Sequence, residues 1–355
     1  MSKLIVTGGT GYIGSHICSL LLEKGFQIII LDSFVNSSPD VLNSILKINN
    51  IKNNFDPRNI KLIKCDLRNE SLLNKIFQDN SSDSNPIQAV IHLAGLKSVE
   101  DSMISPIKYW DFNVKGTINL VKIMEEYKCY KLVFSSSATI YGLQKNKNLI
   151  REDAEINPKN NYGKTKQIIE NILFSLNKTF NWKIVSLRYF NPIGSHDSGL
   201  IGEDPLLKAT NIMPILNMVA SRKKKVFDIY GSDWDTYDGT CIRDYIHVMD
   251  LADGHMISLN YLLKNDPQFI NFNLGTGEGT SVLKLIKTFE NTNNLKIPYI
   301  FSRRRVGDIS VIVADNSKAR EILKWNPKFN LHDMCKDGWN WKCKNPNGYS
   351  NMSFY

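Results

Sequence analysis

The feature that most constrains the fold is an alternation of short apolar runs with longer segments of helical periodicity across residues 1–190. The runs are nearly continuous in Val, Ile and Leu, a pattern typical of strands that are covered on both faces of a parallel sheet. Six such alternations predict a doubly wound α/β sheet of the Rossmann type. The strand candidates are residues 4–7, 27–31, 60–65, 89–93, 131–135 and 183–188, and the helix candidates are residues 14–24, 72–77, 113–127 and 164–179.

The alternation weakens in the second half of the chain, where prolines and glycines between Pro192 and Pro205 mark a long loop. Two earlier stretches, 33–59 and 79–86, are rich in Asn and Ser, and we predict that both are surface insertions. We expect two domains. The Rossmann-type domain comprises residues 1–190 with a return of residues 238–275, and a smaller mixed α/β domain comprises residues 191–237 and 276–355.

The charge and composition restrict the partners. The chain has 44 Lys and Arg against 35 Asp and Glu, a net charge of +9, which is compatible with nucleic acid, an anionic membrane surface or an anionic small molecule. The basic residues are spread along the chain, and the basic run at 222–225 lacks an accompanying nucleic-acid reading motif. No apolar run approaches the ~20 residues that span a bilayer, and the strand-like start leaves no room for a signal peptide. The six scattered cysteines lack zinc-ligand spacing, so we expect a cytoplasmic protein with no metal.

A glycine-rich loop lies between the first strand and the first helix. Its GxxGxxG pattern at Gly8, Gly11 and Gly14 lets backbone N–H groups approach a pyrophosphate at the helix N-terminus. Asp32 ends the second strand, where a carboxylate binds both hydroxyls of an adenosine ribose and repels a 2′-phosphate, so the pattern predicts NAD rather than NADP. Asp66 follows the third strand and is placed to face the adenine, although an acid there could equally cap a helix.

Three side chains predict the reaction centre. The pattern Tyr-x-x-x-Lys occurs three times, but the copies at 127–131 and 141–145 do not have helical spacing, whereas Tyr162 and Lys166 open an amphipathic helix. A cation close to the phenol favours its ionised form, and we expect Lys166 to lower the pKa of Tyr162 into the range of a general base. Ser137 ends a predicted strand, at the sheet edge where ligands bind, and is positioned to hydrogen-bond the reacting hydroxyl.

With these residues, the chain resembles the extended short-chain dehydrogenases/reductases and, within them, the UDP-glucose 4-epimerase (UDP-galactose 4-epimerase) family. The resemblance runs along nearly the whole length. It rests on TGGTGYIGSH at 7–16, HLAGLKSV at 92–99, FSSSATIYG at 134–142, NYGKTK at 161–166, RYFNPIG at 188–194, GEDP at 202–205, DGTCIRDYIHVMDLADGH at 238–255 and RRRVGD at 303–308.

The resemblance implies reversible interconversion of UDP-glucose and UDP-galactose with tightly held NAD. In that family, hydride leaves the sugar C4 carbon, a 4-keto sugar turns over in the site, and hydride returns to the opposite face. By resemblance, Tyr162 takes the proton of the 4-hydroxyl, Lys166 tunes Tyr162 and binds the nicotinamide ribose, and Ser137 hydrogen-bonds the 4-oxygen.

The resemblance also implies two ligand-contact sets, one for NAD and one for the UDP-sugar, which share Lys97, Ser137 and Tyr162. Arginine offers forked donors for a diphosphate. The implied NAD contacts are Gly8, Gly11, Tyr12, Ile13, Gly14, Asp32, Ser33, Asn36, Ser37, Asp66, Leu67, Leu93, Ala94, Gly95, Lys97, Asn113, Ser137, Tyr162, Lys166 and Phe190. The implied UDP-sugar contacts are Lys97, Ser137, Tyr162, Asn191, Asn211, Ile212, Ile229, Tyr230, Arg243, Arg305 and Asp308.

Two positions discriminate within the superfamily. Sugar-nucleotide 4,6-dehydratases carry an acidic pair just after the serine-rich strand, where this chain has Ala138 and Thr139, so we expect epimerisation without dehydration. Four residues after Asp308 stands Ile312, where bacterial relatives often carry Tyr and animal relatives Cys. A bulky side chain there excludes N-acetyl sugars in the family, and we expect weak activity on UDP-GlcNAc at best.

Several alternatives remain open at this stage. A related 4-epimerase that acts on UDP-N-acetylhexosamines or UDP-pentoses would use the same chemistry. A nucleic-acid-binding protein would exploit the net charge, and a silent NAD-binding sensor would not need Ser137, Tyr162 and Lys166 together. Relatives are commonly homodimers paired through the two helices that include residues 162–166, so we expect a homodimer.

Overall fold

The computed structural model describes residues 2–51, 56–82, 84–144, 149–305 and 307–351. Thirteen strands lie in these ranges, and the prediction of an α/β fold of the Rossmann type is confirmed. The strands are β1 (Lys3–Thr7), β2 (Gln27–Asp32), β3 (Ile60–Lys64), β4 (Ile87–His92), β5 (Lys131–Ser137), β6 (Lys183–Tyr189), β7 (Asn191–Ile193), β8 (Phe227–Tyr230), β9 (Ile242–His247), β10 (Phe269–Leu274), β11 (Gly279–Ser281), β12 (Tyr299–Ser302) and β13 (Val311–Ile312).

The helices fill the connections between strands. The α-helices are α1 (Tyr12–Glu23), α2 (Val41–Ile51), α3 (Glu70–Asn80), α4 (Val99–Ile104), α5 (Pro106–Tyr109), α6 (Gly116–Glu126), α7 (Asn161–Phe180), α8 (Ile212–Ala220), α9 (Val248–Lys264), α10 (Val282–Asn293) and α11 (Leu331–Lys344). Short 3₁₀ turns lie at Pro57–Asn59, Ala138–Ile140 and Gly348–Asn351, and π-helical turns at Trp110–Lys115 and Ala319–Leu323.

Seven parallel strands form the central sheet in the order β10-β6-β5-β4-β1-β2-β3. The strand order reverses between β1 and β4, because β2 and β3 follow on one side of β1 and β4, β5 and β6 on the other. Open parallel sheets bind ligands at this point, beyond the carboxyl ends of their strands. An apolar cluster lies on each face of the sheet. One includes Ile17 of α1 and Leu259 of α9, and the other includes Phe77 of α3 and Leu120 of α6.

The prediction that residues 33–59 are a surface insertion is wrong. This stretch contains α2, and its residues Val41, Ile45 and Ile48 are buried in the same apolar cluster as α1. Their spacing of four and three residues places them on one face of the helix. Leu42, Leu46 and Ile51 are further apolar residues of α2, and the many Asn and Ser residues of the stretch 33–59 hid this apolar stripe in the composition.

The second half of the chain forms two small sheets and also contributes one strand to the central sheet. Strand β9 pairs with β7, β11 and β13 in a small sheet, and β8 pairs with β12 in another. Strand β10 instead joins the edge of the central sheet beside β6, and α9 packs against α1. The residues that return to the central sheet are therefore those of α9 and β10, while β9 lies in the small sheet.

Candidate active site

The glycine-rich loop begins where β1 ends, and two of its glycines are required by close backbone contacts. Gly8 has φ +70°, and a Cβ there would lie 2.8 Å from the backbone nitrogen of Ala94. A Cβ on Gly14 would lie 2.2 Å from the carbonyl oxygen of Gly8. These two glycines let the loop fold tightly between β1, the loop after β4 and the first turn of α1.

Gly11 has a different environment, which fits a ligand. It precedes α1 with ordinary extended backbone angles, and among the described residues a Cβ on it would meet only the Gly8 carbonyl oxygen, at 3.3 Å. In the part of the chain that the structure describes, no side chain caps α1, and its first turn holds no acidic residue. An uncapped helix N-terminus next to open space is the environment that binds a pyrophosphate.

Asp32 is fixed beside this loop. Its Oδ2 accepts a hydrogen bond from the Thr10 backbone N–H at 3.1 Å, and its Oδ1 accepts from the Phe34 N–H at 3.0 Å and the Ser37 hydroxyl at 2.9 Å. The carboxylate is buried. A fixed anion at this strand end fits ribose hydroxyl donors and disfavours a 2′-phosphate. The nearby Asn36 accepts a hydrogen bond from the Leu207 N–H at 2.9 Å, and Ser33 lies next to Asp32, partly exposed.

The strand end at Asp66 is organised by an arginine that sequence reasoning missed. Arg68 contacts Asp66 at 2.6 Å and Asp111 at 2.5 Å, and its guanidinium lies 3.5 Å from the ring centroid of Phe112. The hydrogen bond from Arg68 lowers the pKa of Asp66. Asp66 does not cap α3, since Asn69 does so, and Leu67 is buried under α6. An acid paired in this way keeps its charge at the predicted adenine end.

The loop after β4 is joined to α7 by Asn113. The Asn113 side chain accepts from the Leu96 N–H at 2.7 Å and donates to the Leu96 carbonyl at 3.0 Å and to the Thr165 hydroxyl at 3.1 Å. Leu93 follows the end of β4, and Ala94 contacts Gly8 as described above. Gly95 packs closely against the Asn113 side chain, because a Cβ on it would lie 3.1 Å from Asn113 Oδ1. The predicted contacts in 93–97 thus line the space between the glycine loop and α7.

The predicted reaction centre is assembled at the junction of β5 and α7. Helix α7 begins after Asn160, whose side chain accepts from the Gly163 N–H at 2.8 Å, and Tyr162 stands in its first turn. Ser137 is the last residue of β5, and its hydroxyl is near enough to the Tyr162 phenol to oppose the rise in the pKa of that phenol. Lys166, one turn further along α7, donates to the Ser135 carbonyl at 2.6 Å. The structure therefore brings these three predicted residues together.

The protonation of this centre departs from the expectation. Burial raises the pKa of Tyr162 to about 12, and the Ser137 hydrogen bond offsets only part of this. The Lys166 ammonium is 5.9 Å from the Tyr162 ring centroid, and burial lowers its own pKa to about 8, against the opposing effect of Glu170. Desolvation of the phenol sets the direction of the shift, and Lys166 is not among the groups that lower the pKa of Tyr162.

A buried ion pair lies behind Lys166. Glu170 is one helical turn after Lys166 and binds Arg188 at 2.7 Å, with both side chains almost fully buried. Arg188 also donates to the Tyr141 hydroxyl at 2.9 Å. Neither acid nor arginine was predicted from the sequence, although Glu170 continues the spacing of four residues from Tyr162 and Lys166 along α7.

A cleft between the small sheets and α8 gathers most of the predicted UDP-sugar contacts. Arg305 hydrogen-bonds Asp308 at 3.1 Å, and its guanidinium lies 4.4 Å from the Tyr230 ring centroid. Arg243 is anchored on the Ile242 carbonyl at 2.9 Å. The predicted contacts that line the cleft are Asn191, Asn211, Ile212, Tyr230, Arg243, Arg305 and Asp308, and the residues that sequence reasoning missed include Thr210, Asp228 and Tyr245.

Two predicted contacts lie elsewhere. Ile229 is buried in an apolar cluster with Met213 and Phe289, and its place in the UDP-sugar set stays a prediction. Side chains alternate along a strand, so its neighbours Asp228 and Tyr230 in β8 face the opposite side from Ile229. Phe190 packs in a separate cluster against Ile312. Of the other two Tyr-x-x-x-Lys copies, Lys145 lies outside the described residues.

Two residues connect α1 to the second half of the chain. The Tyr12 hydroxyl donates to the Gly194 carbonyl at 2.7 Å, and Ile13 packs against the large apolar cluster. Within the described ranges, no group of three or more His, Cys, Asp or Glu side chains could hold a metal ion. None of the helices in those ranges has both the length and the apolar character needed to cross a membrane.

Sequence comparison finds similar proteins over the whole chain. A family model described as GDP-mannose 4,6 dehydratase matches residues 5–338. The chain is 44% identical to UDP-glucose 4-epimerase 1 of Oryza sativa subsp. japonica over 352 residues, which cover 98% of this chain and 97% of that protein. It is 43% identical to UDP-glucose 4-epimerase of Bacillus subtilis (strain 168), with 98% of both chains covered.

The fold has equally similar solved structures. A crystal structure of UDP-glucose 4-epimerase from Bifidobacterium longum in complex with NAD+ and UDP matches with a TM-score of 0.91 at 41% identity. The match covers 98% of this chain and 100% of that one. The similarity therefore includes both the central sheet and the cleft beside it.

Proposed function

Because this chain belongs to the UDP-glucose 4-epimerase family, we propose that it interconverts UDP-glucose and UDP-galactose by transient oxidation at the sugar C4 carbon. The observation that carries the proposal is the convergence of Ser137, Tyr162 and Lys166 between β5 and α7. This centre lies at the carboxyl edge of the sheet, where the glycine loop opens. The enzyme is an NAD-dependent isomerase.

The glycine loop and Asp32 fit NAD. When bound, NAD supplies the hydride acceptor and donor for the C4 carbon. Gly11 and the uncapped start of α1 would hold its pyrophosphate, and the Asp32 carboxylate would accept hydrogen bonds from its ribose hydroxyls. We also propose that residues 1–190, with α9 and β10 returning from the second half of the chain, form the cofactor domain, while residues 191–237 and 276–355, together with β9, hold the UDP-sugar.

Tyr162 moves the proton in this proposal. Burial raises the pKa of its phenol to about 12, which keeps the phenol protonated at neutral pH. The oxidised nicotinamide ring of NAD would bring a second positive charge, besides that of Lys166, close to the phenol. Two nearby positive charges favour the phenolate, which can accept the proton of the 4-hydroxyl. Ser137 holds the same oxygen, and Thr139 donates a hydrogen bond to Ser137 at 3.0 Å. The two positions after Ser137, which are acidic in the dehydratases, are therefore uncharged residues in this chain, Ala138 and Thr139.

The absence of carboxylates at 138 and 139 separates epimerisation from dehydration. Removal of the C5 proton and loss of the 6-hydroxyl need a base and an acid, and Ala138 and Thr139 provide neither. The Thr139 hydroxyl is instead engaged with Ser137. The sequence similarity to a dehydratase family model thus extends to the fold and the dinucleotide chemistry, while these two positions support an epimerase.

We propose a homodimer in a reducing cytosol. Helices α6 and α7 carry exposed apolar side chains, Ile118 on α6 and Ile168 and Phe174 on α7. An exposed apolar surface of this kind supports pairing with a second copy. All six cysteines are free, and five are buried, which supports a compartment where thiols stay reduced.

Replacement of Tyr162 by Phe tests the proposed function. The variant keeps the ring but loses the proton-transferring hydroxyl, so kcat on UDP-galactose should fall by ~10²-fold or more, while bound NAD stays unchanged. Tyr299→Phe is the matched control, since Tyr299 is an exposed residue of β12 outside the cleft. A Tyr162→Phe enzyme with kcat within a few-fold of the parent would refute the assignment, and a silent NAD sensor would show no epimerase activity in either protein.

A further inference from the structure

Glu203 joins the two ligand-binding regions. It lies in the loop between β7 and α8, and only 6% of its side chain is exposed. Its Oε1 accepts from the Lys97 ammonium at 2.8 Å and from the Asn211 amide at 2.6 Å. Lys97 comes from the loop after β4, and Asn211 lines the cleft just before α8. One carboxylate oxygen therefore holds two side chains from opposite sides of the site.

The other oxygen of Glu203 is in an unfavourable position. Oε2 is buried and has no hydrogen-bond partner among the described residues. A buried carboxylate costs free energy unless its oxygens are paired, and an ionised acid accepts at both oxygens. The negative charge of Glu203 also acts on the buried Tyr12 phenol. Burial raises the pKa of this phenol, and the charge of Glu203 raises it further. The buried, unpaired Oε2 lowers the stability of the folded protein. We therefore look for the role of Glu203 in the two side chains that its Oε1 binds, Lys97 and Asn211.

A nearby pair shows what an ordinary contact between the same two regions looks like. Glu100 at the start of α4 binds Lys208 of the loop before α8 at 3.1 Å. Both side chains are mostly exposed, and exposed pairs of this kind contribute little. The two lysine–glutamate pairs connect the same segments, but only Glu203 is buried and also bound to a residue of the cleft.

We propose that Glu203 is a positioning residue for nucleotide-sugar binding, which holds Lys97 and Asn211 in place at the boundary between the NAD and UDP-sugar regions. The inference rests on the proposed function for the identity of the ligand. Glu203 acts through its two partners rather than on the reacting atoms, so its loss changes affinity and leaves the chemical step intact. A charge that served only to repel the diphosphate would have the opposite effect on affinity.

Glu203→Gln tests the proposal, with Glu100→Gln as the matched control. The amide keeps the volume of Glu203 and removes its charge. For Glu203→Gln, we expect the Kd for UDP, measured by titration calorimetry on the NAD-containing protein, and the KM for UDP-galactose to rise by about tenfold, the effect of losing a hydrogen bond to a charged group. We expect kcat within twofold of the parent and an unfolding temperature close to that of the parent, because the Lys97 ammonium is 42% exposed and stays hydrated when its partner is neutral.

Three outcomes would overturn the proposal. The first is an unchanged or tighter Kd for UDP in Glu203→Gln. The second is a lower unfolding temperature with kcat reduced in proportion, which would make Glu203 a structural residue. The third is an equal loss of affinity in Glu100→Gln. A parent protein that binds UDP without epimerising UDP-galactose would refute the proposed function, whereas the UDP titration would still decide the role of Glu203.

Discussion

Gly11 and Gly14 lie at the start of α1, and we expect the same substitution to lower the stability of the protein at Gly14 but not at Gly11. In Gly14→Ala, the new methyl group would lie 2.2 Å from the Gly8 carbonyl oxygen and 2.7 Å from the Gly9 Cα, both backbone atoms that cannot rotate away. In Gly11→Ala, the methyl group would meet only the Gly8 oxygen, at 3.3 Å, among the described residues. Gly11 also has φ −73°, which alanine adopts without strain. Gly14 is thus required by the fold, and Gly11 by the ligand.

The magnitudes follow from these contacts. Overpacking against fixed backbone costs ~3 kcal/mol, the upper end of the usual range. Unfolding entropy for 355 residues is roughly 0.75 kcal/mol/K near the midpoint, so this cost lowers the unfolding temperature by about 4 °C. Gly11→Ala should change the intrinsic stability by less than ~1 kcal/mol, because its neighbour needs to move by only a few tenths of an ångström. Both methyl groups should abolish retention of NAD, Gly11→Ala by filling the space for the pyrophosphate.

The assay compares the two variants with each other, since neither should carry NAD and bound ligand would otherwise raise the unfolding temperature. NAD is measured in the supernatant of the denatured proteins, and unfolding is followed by calorimetry. We expect no NAD from either variant and a lower unfolding temperature for Gly14→Ala. If Gly11→Ala retains one NAD per chain, the proposed place of the pyrophosphate is refuted. If the two variants unfold at the same temperature, the assignment of Gly14 to the fold is refuted.

Three further predictions concern specificity, product and pH. Ile312 packs against the cluster that holds Phe190, and we expect kcat/KM for UDP-GlcNAc at least ~10-fold below that for UDP-glucose, the scale of a steric mismatch in a pocket; rates within a few-fold would contradict this. Mass spectrometry of the products should find no 4-keto-6-deoxy sugar, and its presence would show that Ala138 and Thr139 do not prevent dehydration. Burial lowers the pKa values of His16 and His92 to about 3 in the folded protein, whereas a histidine in the unfolded chain has a pKa near 6.5. Below pH 6.5 the unfolded chain therefore binds more protons than the folded protein. Stability should be full above about pH 6.5 and should fall by ~1.4 kcal/mol per pH unit for each of these histidines as the pH drops towards 3, and an unfolding temperature that stays flat from pH 7 to 5 would refute this.

The strands of the central sheet were predictable because burial on both faces selects continuous Val, Ile and Leu. All six candidates are strands, and the errors are of one or two residues at their ends. The seventh strand, β10, lies within residues 238–275, whose return to the Rossmann-type domain was expected, but its place beside β6 gives no local signal in the sequence. Helix α2 was missed for another reason, since its stripe of Val41, Ile45 and Ile48 was present but diluted by polar neighbours.

The reaction centre was partly predictable. The spacing of Tyr162 and Lys166 fixes their common helical face, and the strand before Ser137 fixes the sheet edge. The pKa of Tyr162 was not predictable, because it depends on desolvation by residues distant in sequence. Glu203 illustrates the same limit: the sequence GEDP contains it, but the partners that give it a role lie 106 and 8 residues away.

The central claim is that hydride leaves the C4 carbon and returns to it inside the same protein. UDP-galactose labelled with deuterium at C4 tests this directly when it is incubated with the purified protein and an excess of unlabelled NADH. The account predicts UDP-glucose that retains the deuterium at C4 in essentially every product molecule, with no net consumption of NAD. Loss of the label to water, or its appearance in the added nicotinamide pool, would contradict the account.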